Sequence, residues 1–150
     1  MKLTVGIIMS LALAAGFAMA AKSLAIKDLP PAVQKTVEEQ AKGAEIKNIS
    51  KETENGATEY EVETILNGKH RDFDVDGKGV LVVVEEETTI DAIPAAAKAA
   101  IEKKVGTGKL GTVETYTKPG QPAMYEAAYT TKAGKKLEVL VKADGTESKE

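Results

Sequence analysis

The chain has 150 residues, 20 Lys and Arg against 23 Asp and Glu for a net charge of −3, one histidine and no cysteine. Without thiols there is no disulfide framework, thiol nucleophile, c-type haem attachment or lipid-acceptor cysteine, and one histidine cannot complete a closed zinc or other transition-metal shell. A hydrophobic content of 43% is too high for a disordered chain, and the absence of a basic face interleaved with aromatics argues against a nucleic-acid partner.

Residues 1–20 read as a targeting segment: Lys2 supplies a positive start, Val5 to Phe17 an apolar run, and Ala18-Met19-Ala20 a small-x-small cleavage site. The 13-residue run falls short of the roughly 20 residues a membrane-spanning helix needs. Cleavage after Ala20, a periplasmic or secreted location and no later membrane association are therefore expected. About 130 residues then remain, enough for one domain or two small units. Their charge is uneven, with 9 Lys and Arg against 15 Asp and Glu over residues 21–90, and 10 against 8 over residues 91–150.

Ile26-Lys27-Asp28-Leu29-Pro30 opens a predicted helix and returns 64 residues later as Ile90-Asp91-Ala92-Ile93-Pro94. Proline is tolerated at a helix start, where its missing N–H has no helical partner. Apolar residues follow at helical spacing, as Val33, Val37 and Ala41 and as Ala97, Ile101 and Val105, and Gly43 and Gly106 are the expected left-handed caps.

Each helix is followed by strands separated by turn residues. In the first half Asn55-Gly56, Asn67-Gly68 and Asp76-Gly77-Lys78-Gly79 divide segments near 44–54, 57–66, 69–76 and 80–86. Asn67-Gly68 is the strongest of these signals, because a two-residue type I′ turn needs φ > 0 at both positions. Closing it places Val62 opposite Phe73 and Tyr60 opposite Val75 on an apolar face. On the other face Glu63 meets Asp72, Glu61 meets Asp74 and Glu59 meets Asp76, six carboxylates in three cross-strand pairs. That face must meet water, cations or a basic partner.

In the second half Pro119-Gly120, Ala133-Gly134 and Asp144-Gly145 divide segments 109–118, 122–131, 135–142 and 146–149. A three-residue loop, Lys132-Ala133-Gly134, replaces the tight turn, and its register pairs Tyr129 with Leu137, Ala127 with Val139 and Tyr125 with Val141. The expected fold is α+β, two tandem αββββ repeats (residues 21–90 and 91–150), each with its helix packed on one face of an antiparallel sheet.

The doubled I-x-x-L-P helix start, with Tyr60-Glu61-Val62, Asn67-Gly68-Lys69, Phe73-Asp74-Val75-Asp76 and Gly79, resembles the PepSY-like proteins, especially their exported β-lactamase-inhibitor-like branch. The second half matches through Tyr125-Glu126, Gly134-Lys135-Lys136, Val139, Val141 and Asp144-Gly145. The resemblance implies a β-lactamase-inhibitor-like fold and extracytoplasmic protein binding, with inhibition or regulation of peptidase-type partners. It transfers no functional residue.

Other motifs carry less. Gly106-Thr107-Gly108-Lys109-Leu110-Gly111 has the letters of a dinucleotide fingerprint, but it follows a helix and leads into a strand, the reverse of the required context. His70 falls opposite Ile65 beside the turn, and no serine sits in a nucleophile elbow. Asp72-Phe73-Asp74-Val75-Asp76-Gly77 copies the start of a calcium loop, yet position twelve is Val83 where a bidentate Glu is needed, and the alternation reads as strand. Glycoside hydrolysis needs two carboxylates in contrasting environments, unlike this row of similar ones. Asn48-Ile49-Ser50 has glycosylation-acceptor letters but fits a bulged strand, and Glu85-Glu86-Glu87 guards the end of a very apolar strand.

These readings converge on an exported non-enzymatic protein-binding module without a cofactor or bound metal, acting on a peptidase-type or cell-envelope partner. Glu59, Glu61, Glu63, Asp72, Asp74 and Asp76 are the candidate partner-facing residues, and a protein with a basic surface is the expected partner. The alternative is a periplasmic protein binding a small ligand or a cation such as calcium.

Overall fold

The computed structural model describes residues 23–54 and 56–148. The expected targeting segment and Asn55 lie outside the described residues. A 3₁₀ turn at Ile26–Asp28 precedes helix α1 (Pro31–Gln40) and strands β1 (Glu45–Glu54), β2 (Ala57–Leu66), β3 (Lys69–Asp76) and β4 (Leu81–Thr88). Helix α2 (Ala95–Val105) then precedes β5 (Lys109–Thr117), β6 (Met124–Thr130), β7 (Lys136–Lys142) and β8 (Glu147–Ser148). Among the described residues the fold is α+β, with two α-helices and eight strands; β1 to β4 pair antiparallel in sequence order, and so do β6 to β8.

Among the described residues the chain forms two compact units. The first holds the residues up to Glu87 together with Thr115–Ala123, and the second holds Thr88–Glu114 together with the residues from Met124 onward.

In the first unit, Pro30 and Pro31 occupy the N-cap and first helical position of α1, where proline removes no helical hydrogen bond. Leu29, Val33, Val37 and Ala41 recur every four residues and form one buried stripe. The helix stops at Gln40 with Ala41 as its cap, and Gly43, expected as the cap, lies beyond it in a turn at φ +84°. Strand β2 alternates buried and half-buried residues, as a sheet with one face on a core must.

Asn67 and Gly68 have φ of +54° and +81°, the pair of signs a type I′ turn demands. The β2–β3 register follows the expected count: Tyr60 opposes Val75, Val62 opposes Phe73, and Ile65 opposes His70. Tyr60, Val62, Phe73 and Val75 pack with Val33, Val37 and Ile49 in a single core. Each fully buried valine or phenylalanine side chain contributes about 1.5–3 kcal/mol, so this register is strongly favoured over a one-residue slip.

In the second unit Tyr129 opposes Leu137, Ala127 opposes Val139 and Tyr125 opposes Val141, again as counted from the sequence. Ala97 and Ile101 of α2 pack with Val113, Ala127, Val139 and Val141. The two helices are anchored alike by glycines after β3 and β7. Gly79 (φ +86°) sits where a Cβ would fall 2.5 Å from the Ala32 carbonyl oxygen, and Gly145 (φ +83°) where it would fall 2.6 Å from that of Ala96. Only glycine accepts both the backbone angle and the approach. Around these glycines the hydrogen bonds also match: Gly79 N–H donates to Asp76 O and Gly145 N–H to Lys142 O, each at 2.9 Å.

Candidate functional site: the acidic sheet face of the first unit

The face of β1–β4 opposite the helix-side core carries the six candidate carboxylates. Glu59 opposes Asp76 and Glu61 opposes Asp74 directly. The register is unchanged on either side of Glu63 and Asp72, so these too occupy opposed positions. There the ladder is modified: Thr64 N–H donates to Asp72 Oδ1 at 2.8 Å, while the buried Thr64 hydroxyl donates to the Arg71 carbonyl.

Strand β1 completes the face. Asn48 opposes Glu63, Ser50 opposes Glu61 and Glu52 opposes Glu59, so a seventh carboxylate joins the row. Asn48 Nδ2 donates to Glu63 at 3.0 Å and Ser50 Oγ to Glu61 at 3.2 Å. On the other side, Val83 of β4 opposes Asp74 and is buried, and Glu85 opposes Asp72. Asp76 serves its own turn, where its Oδ1 accepts from the N–H groups of Lys78 (2.9 Å) and Val80 (2.8 Å).

The electrostatics follow from this packing. Burial pushes Asp74 up from an ordinary 3.8 to about 7, reinforced by the charges of Glu61, Glu59, Glu52 and Asp72. Burial also raises Glu61, opposed by its bond from Ser50 and assisted by Glu63, Glu52 and Asp72. Asp72 is raised by burial too, against the Thr64 N–H and His70. Like-charge pairing alone would predict repulsion as the leading cause; the structure makes desolvation the larger one and repulsion secondary.

Two lysines within reach in the sequence, Lys47 and Lys51, do not neutralise the row. Lys47 is the extra residue of a β-bulge between Ile46 and Asn48 and pairs with Glu45 at 2.6 Å. Lys51 opposes Tyr60, on the helix-side register. A bulge gives core positions to both Ile46 and Ile49, with Lys47 between them paired to Glu45.

The remaining sequence candidates are placed plainly. Asp72, Asp74 and Asp76 lie along one strand, an arrangement that spreads their carboxylates instead of wrapping them about an ion. His70 is exposed, with Nδ1 4.0 Å from Asp72 Oδ2. Ser23 Oγ accepts the Ile49 N–H and Ser50 is bonded to Glu61. Gly106 follows α2 and Gly111 lies inside β5, so the glycine-rich letters occupy a helix-to-strand connection.

One residue to which the sequence reading gave no role is structurally prominent. Arg71 donates from Nη1 to the Gln40 backbone carbonyl at 3.0 Å and from Nη2 to Gln40 Oε1 at 3.1 Å, pairs with Glu86 at 3.2 Å and lies over the Phe73 ring. It therefore ties the C-terminal end of α1 to β3 and β4. The available signal was an arginine two residues before Phe73, on the strand face that meets the helix.

The second unit's corresponding face is different. Met124 opposes Lys142, Glu126 opposes Leu140 and Ala128 opposes Glu138, with Glu126 and Leu140 both buried.

No family model matches the chain, and no curated protein matches it. Solved structures do. A Bacteroides eggerthii protein described as periplasmic is 17% identical with a TM-score of 0.64 over 81% of this chain and 86% of its own. A DUF2874 family protein of Bacteroides ovatus is 15% identical with a TM-score of 0.61 over 81% and 85%. A BLIP-like protein of Bacteroides fragilis is 17% identical with a TM-score of 0.56 over 81% and 84%. The chain shares the fold of these BLIP-like and DUF2874 family proteins. Among the described residues no helix is long and apolar enough to cross a membrane.

Proposed function

We propose that the chain is an exported, non-enzymatic binding protein of the PepSY-like, β-lactamase-inhibitor-like kind. It is built from two copies of one αββββ unit and uses the acidic sheet face of the first to engage a protein with a basic surface. The observation that carries this reading is the face itself. Glu52, Glu59, Glu61, Glu63, Asp72 and Asp74 line three adjacent strands, and of the β1 lysines Lys51 lies in the helix-side register while Lys47 is paired with Glu45. Such a row is costly to an isolated sheet, since each opposed like-charge pair destabilises by about 0.2–1 kcal/mol. A basic partner would offset that cost. A broad face of side chains from neighbouring strands also suits a protein surface better than a small ligand, which needs a concave pocket with convergent polar groups. The neighbour described as periplasmic and the targeting signature of residues 1–20 support an extracytoplasmic location, with cleavage after Ala20.

The test is affinity capture from the exported fraction of the native host, with wild type and a Glu59→Gln/Glu63→Gln variant side by side. A protein retained by wild type and weakened by the variant is the expected result. Capture of nothing above background, together with tight binding of calcium or a small molecule, would replace this reading with the ligand-binding one.

A further inference from the structure

Glu61 and Asp74 stand at the centre of the acidic face and oppose each other directly across β2 and β3. Around them β1 presents Ser50 and Glu52, β2 presents Glu59 and Glu63, β3 presents Asp72 and Asp76, and β4 presents Val83 and Glu85. His70 is near Asp72, at one end of the row. The segment Thr115–Ala123 of the same unit contributes one cation, Lys118, whose ammonium lies 5.5 Å from the Tyr116 ring centroid. The central pair is thus flanked by carboxylates on its own two strands and on β1, and by a buried valine on β4. Two opposed carboxylates in such a setting do not ionise independently; the second proton leaves against the charge created by the first.

The surroundings also distinguish the two members. Ser50 donates to Glu61 Oε2, which stabilises Glu61 as the anion. Asp74 opposes Val83, and burial together with the charges of Glu61, Glu59, Glu52 and Asp72 disfavours its anion.

We propose that the pair retains one proton into the neutral range, that this proton resides on Asp74, and that its loss as pH rises strengthens the grip of the face on a cationic segment. The binding half of this statement rests on the function proposed above; the proton-holding half does not. Burial raises both carboxyls, Asp74 to about 7, which agrees with a proton held by the pair.

The test is a ¹³C-carboxyl NMR titration of the whole protein from acid to mildly alkaline pH. In wild type the Asp74 carboxyl is expected to titrate near neutrality and after Glu61. In Glu61→Gln its midpoint should fall by about one pH unit or more, whereas Asp74→Asn should leave Glu61 titrating no higher than before. Asp74 titrating in the ordinary carboxylate range, or unmoved in Glu61→Gln, overturns the proposal. Should Glu61→Gln fail to fold, Ser50→Ala serves instead: it must raise Glu61, and an unchanged Glu61 midpoint counts against the assigned order.

Decalysine is the binding probe. It should bind wild type at least about threefold tighter at about pH 8 than at about pH 6, the effect of one added surface charge, and Asp74→Asn should lose that difference. Equal binding at both values overturns the regulation. If the titrations come out as expected but decalysine binds at neither pH, the basic-partner reading fails while the shared proton stands.

Discussion

Val62 and Ala127, Phe73 and Val139, and Val75 and Val141 hold corresponding places in the cores beneath α1 and α2, while on the reverse of the same strands Asp74 corresponds to Leu140, Asp76 to Lys142 and Glu59 to Met124. The first set conserves apolar character and trades volume between sites: where the second unit has the smaller Ala127 and Val139, it has Tyr129 in place of Thr64. The second set conserves nothing except Glu61 with Glu126 and Asp72 with Glu138. The difference teaches where each constraint lies. Helix packing dictates one face of each sheet, because interiors tolerate exchange of shape only at roughly constant volume. The other face is not bound by helix packing, and there the first unit carries an acidic row that the second lacks.

The largest expected effect tests the core side of this comparison. Phe73 is 1% exposed and Val139 6% exposed. Truncating phenylalanine in a core costs about 3–5 kcal/mol. In urea melts followed by unit-specific amide exchange, Phe73→Ala should destabilise the first unit by that amount, and Val139→Ala the second by roughly half as much. If Val139→Ala proves the more damaging, the trade of volume toward Tyr129 is not what holds the second core.

Next come the two glycines. Gly79→Ala and Gly145→Ala each add an unfavourable positive φ and a clash with a helix carbonyl, and should each cost about 2 kcal/mol or more. Gly43 has a similar φ of +84° with nothing within 4 Å of its Cβ position, so Gly43→Ala should cost only about 1 kcal/mol. Equal losses at all three positions in thermal melts would show that the helix approach contributes nothing.

A smaller, pH-dependent effect probes the face side. Asp74 holds its proton more tightly folded than unfolded, so its contribution to stability is complete below about pH 4 and is lost as pH rises through about 7. Asp74→Leu installs the second unit's residue. It should stabilise the first unit by about 1–2 kcal/mol at about pH 8, a figure already reduced for partial solvent screening. The advantage should vanish at about pH 4. A gain independent of pH would assign the benefit to packing against Val83 and not to removal of the carboxylate.

The registers of both hairpins were legible in the sequence because period-two alternation and turn chemistry specify them together, as Asn67-Gly68 and the loop at Lys132–Gly134 illustrate. The carboxylate row was legible for the same reason. Its electrostatics were not, since they depend on which residues of β1 and β4 flank it. A one-residue bulge at Lys47 changes which β1 side chains reach the face, and such an insertion leaves no strong mark on local composition. Likewise Val83 reaches Asp74 through a second irregularity, between Asp74 and Val75 in the β3–β4 pairing. Cap positions suffered from the same lack of local signal, which is why Gly43 read as the end of a helix that stops at Gln40.

The smallest effects concern how each unit fastens its helix end. In the first, Arg71 reaches from β3 to the Gln40 carbonyl with its side chain only 17% exposed; in the second, a half-buried Leu137 packed against the core takes the corresponding strand position, and Lys104 of α2 instead pairs with Glu147 of β8 at 3.0 Å on the surface. A cation bonded to the carbonyls of a helix C-terminus complements the helix dipole, and partial burial protects the bond from water and salt. Arg71→Met keeps an unbranched aliphatic chain at this position and removes the guanidinium fork, so it should cost about 1 kcal/mol and hasten amide exchange at the end of α1. Lys104→Met should leave the stability of the second unit unchanged within error, because an exposed ion pair gains little over its hydrated partners. Raising salt separates the two further: the Arg71 contribution should persist in concentrated salt, and persistence of an equal Lys104 contribution would show that the second unit's helix end is held by the same device.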